Sequence, residues 1–156
     1  MTVPSVNSRP DFSGVWKMNC EKSVLRGALP KQVLMRIEHR EPAIVQQVLF
    51  TGASDVEQLQ TFAWQTGVEV STSIGGVPAR TRARWEGMEL VIESWMKAPD
   101  RERYFKDHWS VSHDGETLTM AHRDDDLAGQ ISVLEKGSQA DIKRFDEYQR
   151  LDQLNI

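Results

Sequence analysis

The stretch Arg103-Tyr-Phe-Lys-Asp-His-Trp-Ser-Val-Ser-His-Asp-Gly-Glu-Thr-Leu-Thr-Met-Ala-His-Arg123 decides the reading of this chain. Phe105, Asp107, Trp109 and Val111 alternate with Tyr104, Lys106, His108 and Ser110, and Leu118, Met120 and His122 alternate with Thr119 and Ala121. A period of two is the signature of a strand, whose successive side chains point to opposite faces. Asp114-Gly115 between the two runs marks a hairpin, because glycine takes the positive φ that such a turn requires. Asp107 and His122 therefore share the apolar face of their strands. His39 does the same among Val33, Met35 and Ile37. Desolvating such a group without a partner costs several kcal/mol, roughly, so each needs a partner or a purpose.

Outward from this hairpin the pattern is strand after strand. Phe12–Asn19 reads as the first, with Trp16 and Met18 on one face. Asn19 can then cap a short helical turn through Glu21–Leu25. The next runs are Val33–Arg40, Ala43–Thr51, Val56–Thr66, Val68–Ser73, Ala79–Trp85 and Met88–Met96. Arg103–Ser112, Glu116–Arg123 and Gly129–Glu135 complete the set. About ten short strands joined by tight turns make a meander, and closure removes its exposed edges. The expected fold is all-β: an up-and-down antiparallel barrel of about 8–10 strands with a C-terminal α-helix, a two-sheet sandwich being the rival. Residues 1–11 read as a flexible lead, 12–136 as the barrel and 137–156 as the helix. Ile142, Phe145, Tyr148 and Leu151 recur at helical spacing behind the candidate cap Ser138. That helix packs outside the barrel, plugs one end, or forms a homodimer contact.

Composition narrows the function. Hydrophobic residues make up 39% and charged residues 27%, ordinary values for one globular domain of 156 residues. A net charge of −4 argues against a nucleic-acid partner. Arg80, Arg82 and Arg84 alternate on one strand and read as a solvated outer face. The single Cys20 allows no intrachain disulfide. No signal peptide or membrane span is read, so a cytoplasmic location without a membrane partner is the expectation.

Gly14-Val15-Trp16 resembles the Gly-x-Trp opening of lipocalins and related calycin barrels. The likeness extends through Phe12-Ser-Gly-Val-Trp-Lys-Met-Asn, Lys22-Ser23, Met35-Arg-Ile-Glu-His, the Trp109–Thr119 segment and Val133-Leu-Glu-Lys. It is to small bacterial lipocalin-like proteins and runs from about Phe12 to Lys136. The resemblance implies a barrel with a cup-shaped cavity, Trp16 plugging its base and a late basic residue over that tryptophan, with Arg123 as the candidate. Function transfers less well, because this fold hosts carriers, lyases, isomerases and cyclases.

The candidate chemistry is cofactor-free. His39, His108, His113 and His122 have no metal-binding spacing, and there is neither a nucleophile elbow nor a nucleotide fingerprint. A zinc site would require His39, His122 and Asp107 to converge. The first reading is an enzyme in which His39 or His122 moves a proton, Asp107 orients it, and Tyr104 or Gln60 steadies an oxyanion. Such acid–base chemistry suits a lyase, isomerase or cyclase. Trp64, Trp85, Trp109, Phe105 and Met35 are the candidate lining for a small hydrophobic or aromatic molecule. The alternative is a carrier or sensor that holds such a molecule unchanged.

Overall fold

A computed structural model describes residues 9–125 and 129–154, the side chains of 152–154 excepted. It shows ten antiparallel strands and one helix: β1 Gly14–Met18, β2 Gln32–Arg40, β3 Ala43–Thr51, β4 Glu57–Gln65, β5 Glu69–Ile74, β6 Val77–Glu86, β7 Glu89–Lys97, β8 Glu102–Val111, β9 Thr117–Asp124, β10 Gly129–Lys136 and α1 Gln139–Leu154. The hydrogen-bonded order is β4-β3-β2-β1-β10-β9-β8-β7-β6-β5. Each strand pairs with its chain neighbours, except that β4 and β5 do not pair with each other, and β1 also closes onto β10, with Trp16 opposite Lys136 and Met18 opposite Leu134. β4 and β5 end the order. The seam between them is bridged where Gly67 N–H donates to the Ala83 carbonyl of β6 at 2.8 Å. The result is a nearly closed barrel.

Alternation places one apolar set inside. Trp16, Ile37, Ile44, Leu90, Trp109, Leu118 and Leu134 are all almost wholly buried in one cluster. The Arg80, Arg82 and Arg84 face is outside, as expected, and is paired with Glu69, Glu86, Glu93 and Glu102.

The base is closed by residues 9–13, which lie in no strand. Phe12 is completely buried, and its carbonyl accepts the Trp16 indole N–H at 2.9 Å. Of the segment expected to be a flexible lead, residues 9–11 run into this buried base, and residues 1–8 lie outside the described residues. Gly14 sits at φ 140°, and a Cβ there would approach Lys136 Nζ to 3.3 Å. That lysine stands over the Trp16 ring, 4.6 Å from its centroid. The basic residue above the tryptophan is thus Lys136 and not Arg123, which is exposed on the outer wall. The β1–β10 pairing, which joins the two ends of the barrel sequence, decides this.

Asn19 caps a turn but no helix follows. Its side chain accepts Lys22 N–H at 3.2 Å, and the chain then returns to the sheet through a bridge from Val24 to Ile131. The C-terminal helix does form. Ser138 and Asp141 cap it reciprocally, each side chain accepting the other's N–H. It lies on the outside of the barrel, where Phe145 and Tyr148 cover Leu34, Leu49 and Leu59. Arg36 to Asp146 and Arg144 to Glu57 tie its flanks to the wall, while Leu151 remains 61% exposed. No helix among the described residues is long and apolar enough to cross a membrane.

Lys136→Ala is expected to lower stability by roughly 0.5–1 kcal/mol through loss of the contact to Trp16. Arg123→Ala should stay within about 0.5 kcal/mol of the parent in urea denaturation. The opposite ranking would contradict this account of the base.

Candidate functional site

The lumen holds a cavity of about 270 Å³. Its lining comes from β3 to β9 and leaves β1, β2 and β10 out. Trp64 and Trp109 meet edge to face at 5.6 Å, and Phe62 lies parallel to Trp64 at 5.9 Å. Phe12 presses edge-on against Trp109, so the aromatic layer beneath the cavity is continuous with the buried base.

Among the described residues the ionisable ones in the lining are Asp107 and His122. In the β8–β9 ladder they stand directly opposite each other on the inward face. His122 Nδ1 lies 2.8 Å from Asp107 Oδ1, and Phe105 stacks over the imidazole at 5.7 Å. The hydrogen bond to Asp107 raises the His122 pKa above its ordinary 6.5 against the opposing effect of burial, with further help from the charge of Asp124. A proton held on Nδ1 by the carboxylate leaves Nε2 as the ring nitrogen free for other contacts.

A second polar pair lies on the same side of the barrel. Thr81 Oγ1 and Ser94 Oγ are 3.1 Å apart, both buried and both lining the cavity. On β3, Gln46 donates to the Met35 sulfur at 3.1 Å and also lines the cavity.

Of the residues singled out from sequence, Asp107, His122, Trp64, Trp109 and Phe105 come together here. The others lie elsewhere. His39 points inward as its alternation requires, but it sits at the base, grouped with Phe12 and Trp85, each ring in contact with the other two. Its Nδ1 accepts Phe12 N–H at 3.3 Å, which places the ring proton on Nε2, 3.7 Å from Glu41. His39 is therefore a fastening of the N-terminal segment, separate from the Asp107–His122 pair. Trp85 belongs to the same base, its indole N–H donating to Glu41 at 3.0 Å. Tyr104 is on the outer face, donating to Glu93. Burial and that bond push its pKa up to about 12, so its hydroxyl is already committed. Met35 is buried behind Gln46, and Gln60 is exposed, two residues before Phe62 on β4 and beyond the lining.

The sequence reading passed over Thr81, Ser94, Gln46 and Phe62. Phe62 alternates with Trp64, Gln46 faces Phe62, Ser94 faces Phe105 and Thr81 faces Ser94, so the strand register, once known, leads to all four. His108 faces outward, 3.5 Å from Glu89. No group of three or more His, Cys, Asp or Glu among the described residues could hold a metal ion.

No protein-family model and no curated protein sequence matches the chain. Solved structures do. Fatty-acid-binding protein 1 of Echinococcus granulosus superposes with a TM-score of 0.58 at 14% identity, over 81% of this chain and 98% of that one. The two chains share a barrel fold. A Schistosoma mansoni fatty-acid-binding protein in complex with arachidonic acid gives 0.56 at 11% identity, over 81% and 96%. Secretory abundant heat soluble protein 4 of Ramazzottius varieornatus gives 0.57 at 14%, over 81% and 95%. At these identities the likeness is one of fold.

Because the folded-state pKa of His122 is raised, the pair stabilises the barrel fully below about pH 6.5, and this contribution is lost as pH rises through the higher folded value. The His122 side chain is 36% exposed, so screening limits the effect to about 1 kcal/mol. Asp107→Asn should lower the His122 titration point, followed by NMR, and flatten this part of the pH–stability profile. An unmoved titration point would show that the carboxylate does not hold the proton.

Proposed function

We propose that this chain binds a small hydrophobic molecule inside its barrel. The observation that carries the reading is the lumen itself. A cavity of about 270 Å³ lies over the aromatic layer of Trp64 and Trp109, with Thr81, Ser94, Asp107 and His122 in a row across β6 to β9 and Gln46 on β3. Apolar lining with a few convergent polar groups is the general form of small-molecule sites, and this volume is near the lower end of their range. The arachidonic acid complex of a structural neighbour supports the same use of the same kind of barrel.

The acid–base enzyme reading rests on one specific observation, the Asp107–His122 pair at 2.8 Å facing the cavity. Two features weigh against it. Tyr104 and Gln60, the expected oxyanion partners, are outside the lining. His39, the expected second imidazole, is held at the base. With Nδ1 held by the carboxylate, Nε2 accepts a hydrogen bond when the ring is neutral and donates one when it is protonated, which suits holding the polar edge of a bound molecule. Binding without turnover is the reading the geometry supports best.

Nile red, a neutral hydrophobic dye, should bind with a rise in fluorescence and a single-site isotherm. Thr72→Trp, a bulky side chain on the inward face of β5, should weaken binding by about tenfold or more, roughly 1.4 kcal/mol, with the melting temperature close to that of the parent. No binding by the parent, or equal binding by the variant, would contradict a lumen site.

A further inference from the structure

The proposed binding function leaves the class of ligand open, and the charge balance of the lumen narrows it. Among the described residues no lysine or arginine lines the cavity. The lumen's potential cation, His122, is already matched by Asp107 at 2.8 Å, so the pair as a whole is electrically neutral when the histidine is protonated. A carboxylate entering this space would lose its hydration, at a cost of several kcal/mol, roughly, that a close uncompensated cation would offset best. It would instead meet a cation with its own counter-ion in place and would face the negative charge of Asp107. Arg103 shares the inward register of β8, opposite Met96, but lies two residues beyond Phe105 and outside the lining.

The polar groups also have a definite arrangement. Thr81 on β6 faces Ser94 on β7, and Asp107 on β8 faces His122 on β9. Ser94 is opposite Phe105, two residues from Asp107, so the four side chains form one stripe across four adjacent strands. Phe62 and Trp64 lie on β4, five steps from β9 around the ten-stranded order, and present rings whose planes are parallel. Phe105 continues the flat surface on the polar side, 23° from the plane of His122. The lumen thus offers aromatic faces from β4 and β8 and a band of hydrogen-bonding groups running across β6 to β9.

We propose that the ligand is neutral and flat: a fused or conjugated ring system with oxygen or nitrogen atoms along one edge, and not a fatty-acid anion. The stripe of Thr81, Ser94 and His122 binds the polar edge, and the rings of Phe62, Trp64 and Trp109 hold the faces. An apolar cavity of about 150 Å³ takes one benzene, so this one accommodates about two fused rings. The inference rests on the barrel being a binding site at all.

A matched set of probes separates the two claims. 2-Naphthol and 2-naphthoate share a ring system and differ in charge, and dodecanoate carries the charge without rings. Each is titrated at neutral pH against the protein loaded with Nile red. 2-Naphthol should displace the dye at least about tenfold more effectively than either anion, and Asp107→Asn at about pH 5.5, where imidazole is largely charged, should narrow the naphthol-to-naphthoate ratio several-fold. Displacement by dodecanoate or naphthoate as good as by naphthol overturns the ligand class and leaves the binding function standing. Loss of that anion binding in Arg103→Ala would then locate the anion at the rim. Failure of all three probes to displace bound Nile red also overturns the class. An unchanged ratio in Asp107→Asn overturns charge compensation as its cause. Failure of Nile red itself to bind removes the binding function, and this inference with it.

Discussion

Asp107 and His122 meet because the turn at residues 112–116 holds β8 and β9 in one register. Ser112 Oγ donates to Asp114 at 2.6 Å, Asp114 also accepts Glu116 N–H at 3.0 Å, and Gly115 takes φ 76°. A slip of one residue would send Phe105, Asp107 and Trp109 to the outer face and bring Lys106 and His108 into the lumen. The aromatic floor, the neutral ion pair and the polar stripe all depend on that pairing. So does the core, since Trp109 and Leu118 belong to the same inward rows and are buried with Trp16.

The barrel separates two jobs that the sequence pattern makes look alike. At the base, His39 accepts a backbone N–H and helps hold Phe12 beneath the cavity floor. Higher in the lumen, His122 is held by a carboxylate and keeps one ring nitrogen for another partner. Both are inward-facing histidines on apolar strands. One completes a closure, and the other gives the cavity its polarity without giving it net charge.

Much of the architecture was legible in the sequence. Ala43–Thr51 is a strand residue for residue as read, because Glu41-Pro42 and Gly52 bracket it. Inward facing was also legible, since alternation reports it directly for His39, Asp107 and His122. Height along the barrel was not. The pattern within one strand cannot say which inward residues share a layer, and His39 and His122 could not be told apart as partners for Asp107. Gln60 has the inward parity of Phe62 and Trp64 yet lies beyond the cavity for the same reason. Tyr104 and Lys136 failed on long-range pairing: Glu93 lies across the β7–β8 ladder from the tyrosine, and β10 meets β1 only when the barrel closes. The short turn after Asn19 became a bridge to Ile131, because pairing with β10 outweighs weak local helix preference there.

The five tryptophans form a built-in map of the barrel. Trp16 and Trp85 lie at the base, Trp95 lies outside under Arg80, and Trp64 and Trp109 line the cavity. The most direct test of a lumen site is a titration with 2-naphthol followed by NMR of the indole N–H signals. The account predicts the largest shifts at Trp64 and Trp109, with Trp95 unmoved. Largest shifts at Trp95 or Trp16 would place the ligand elsewhere and contradict it.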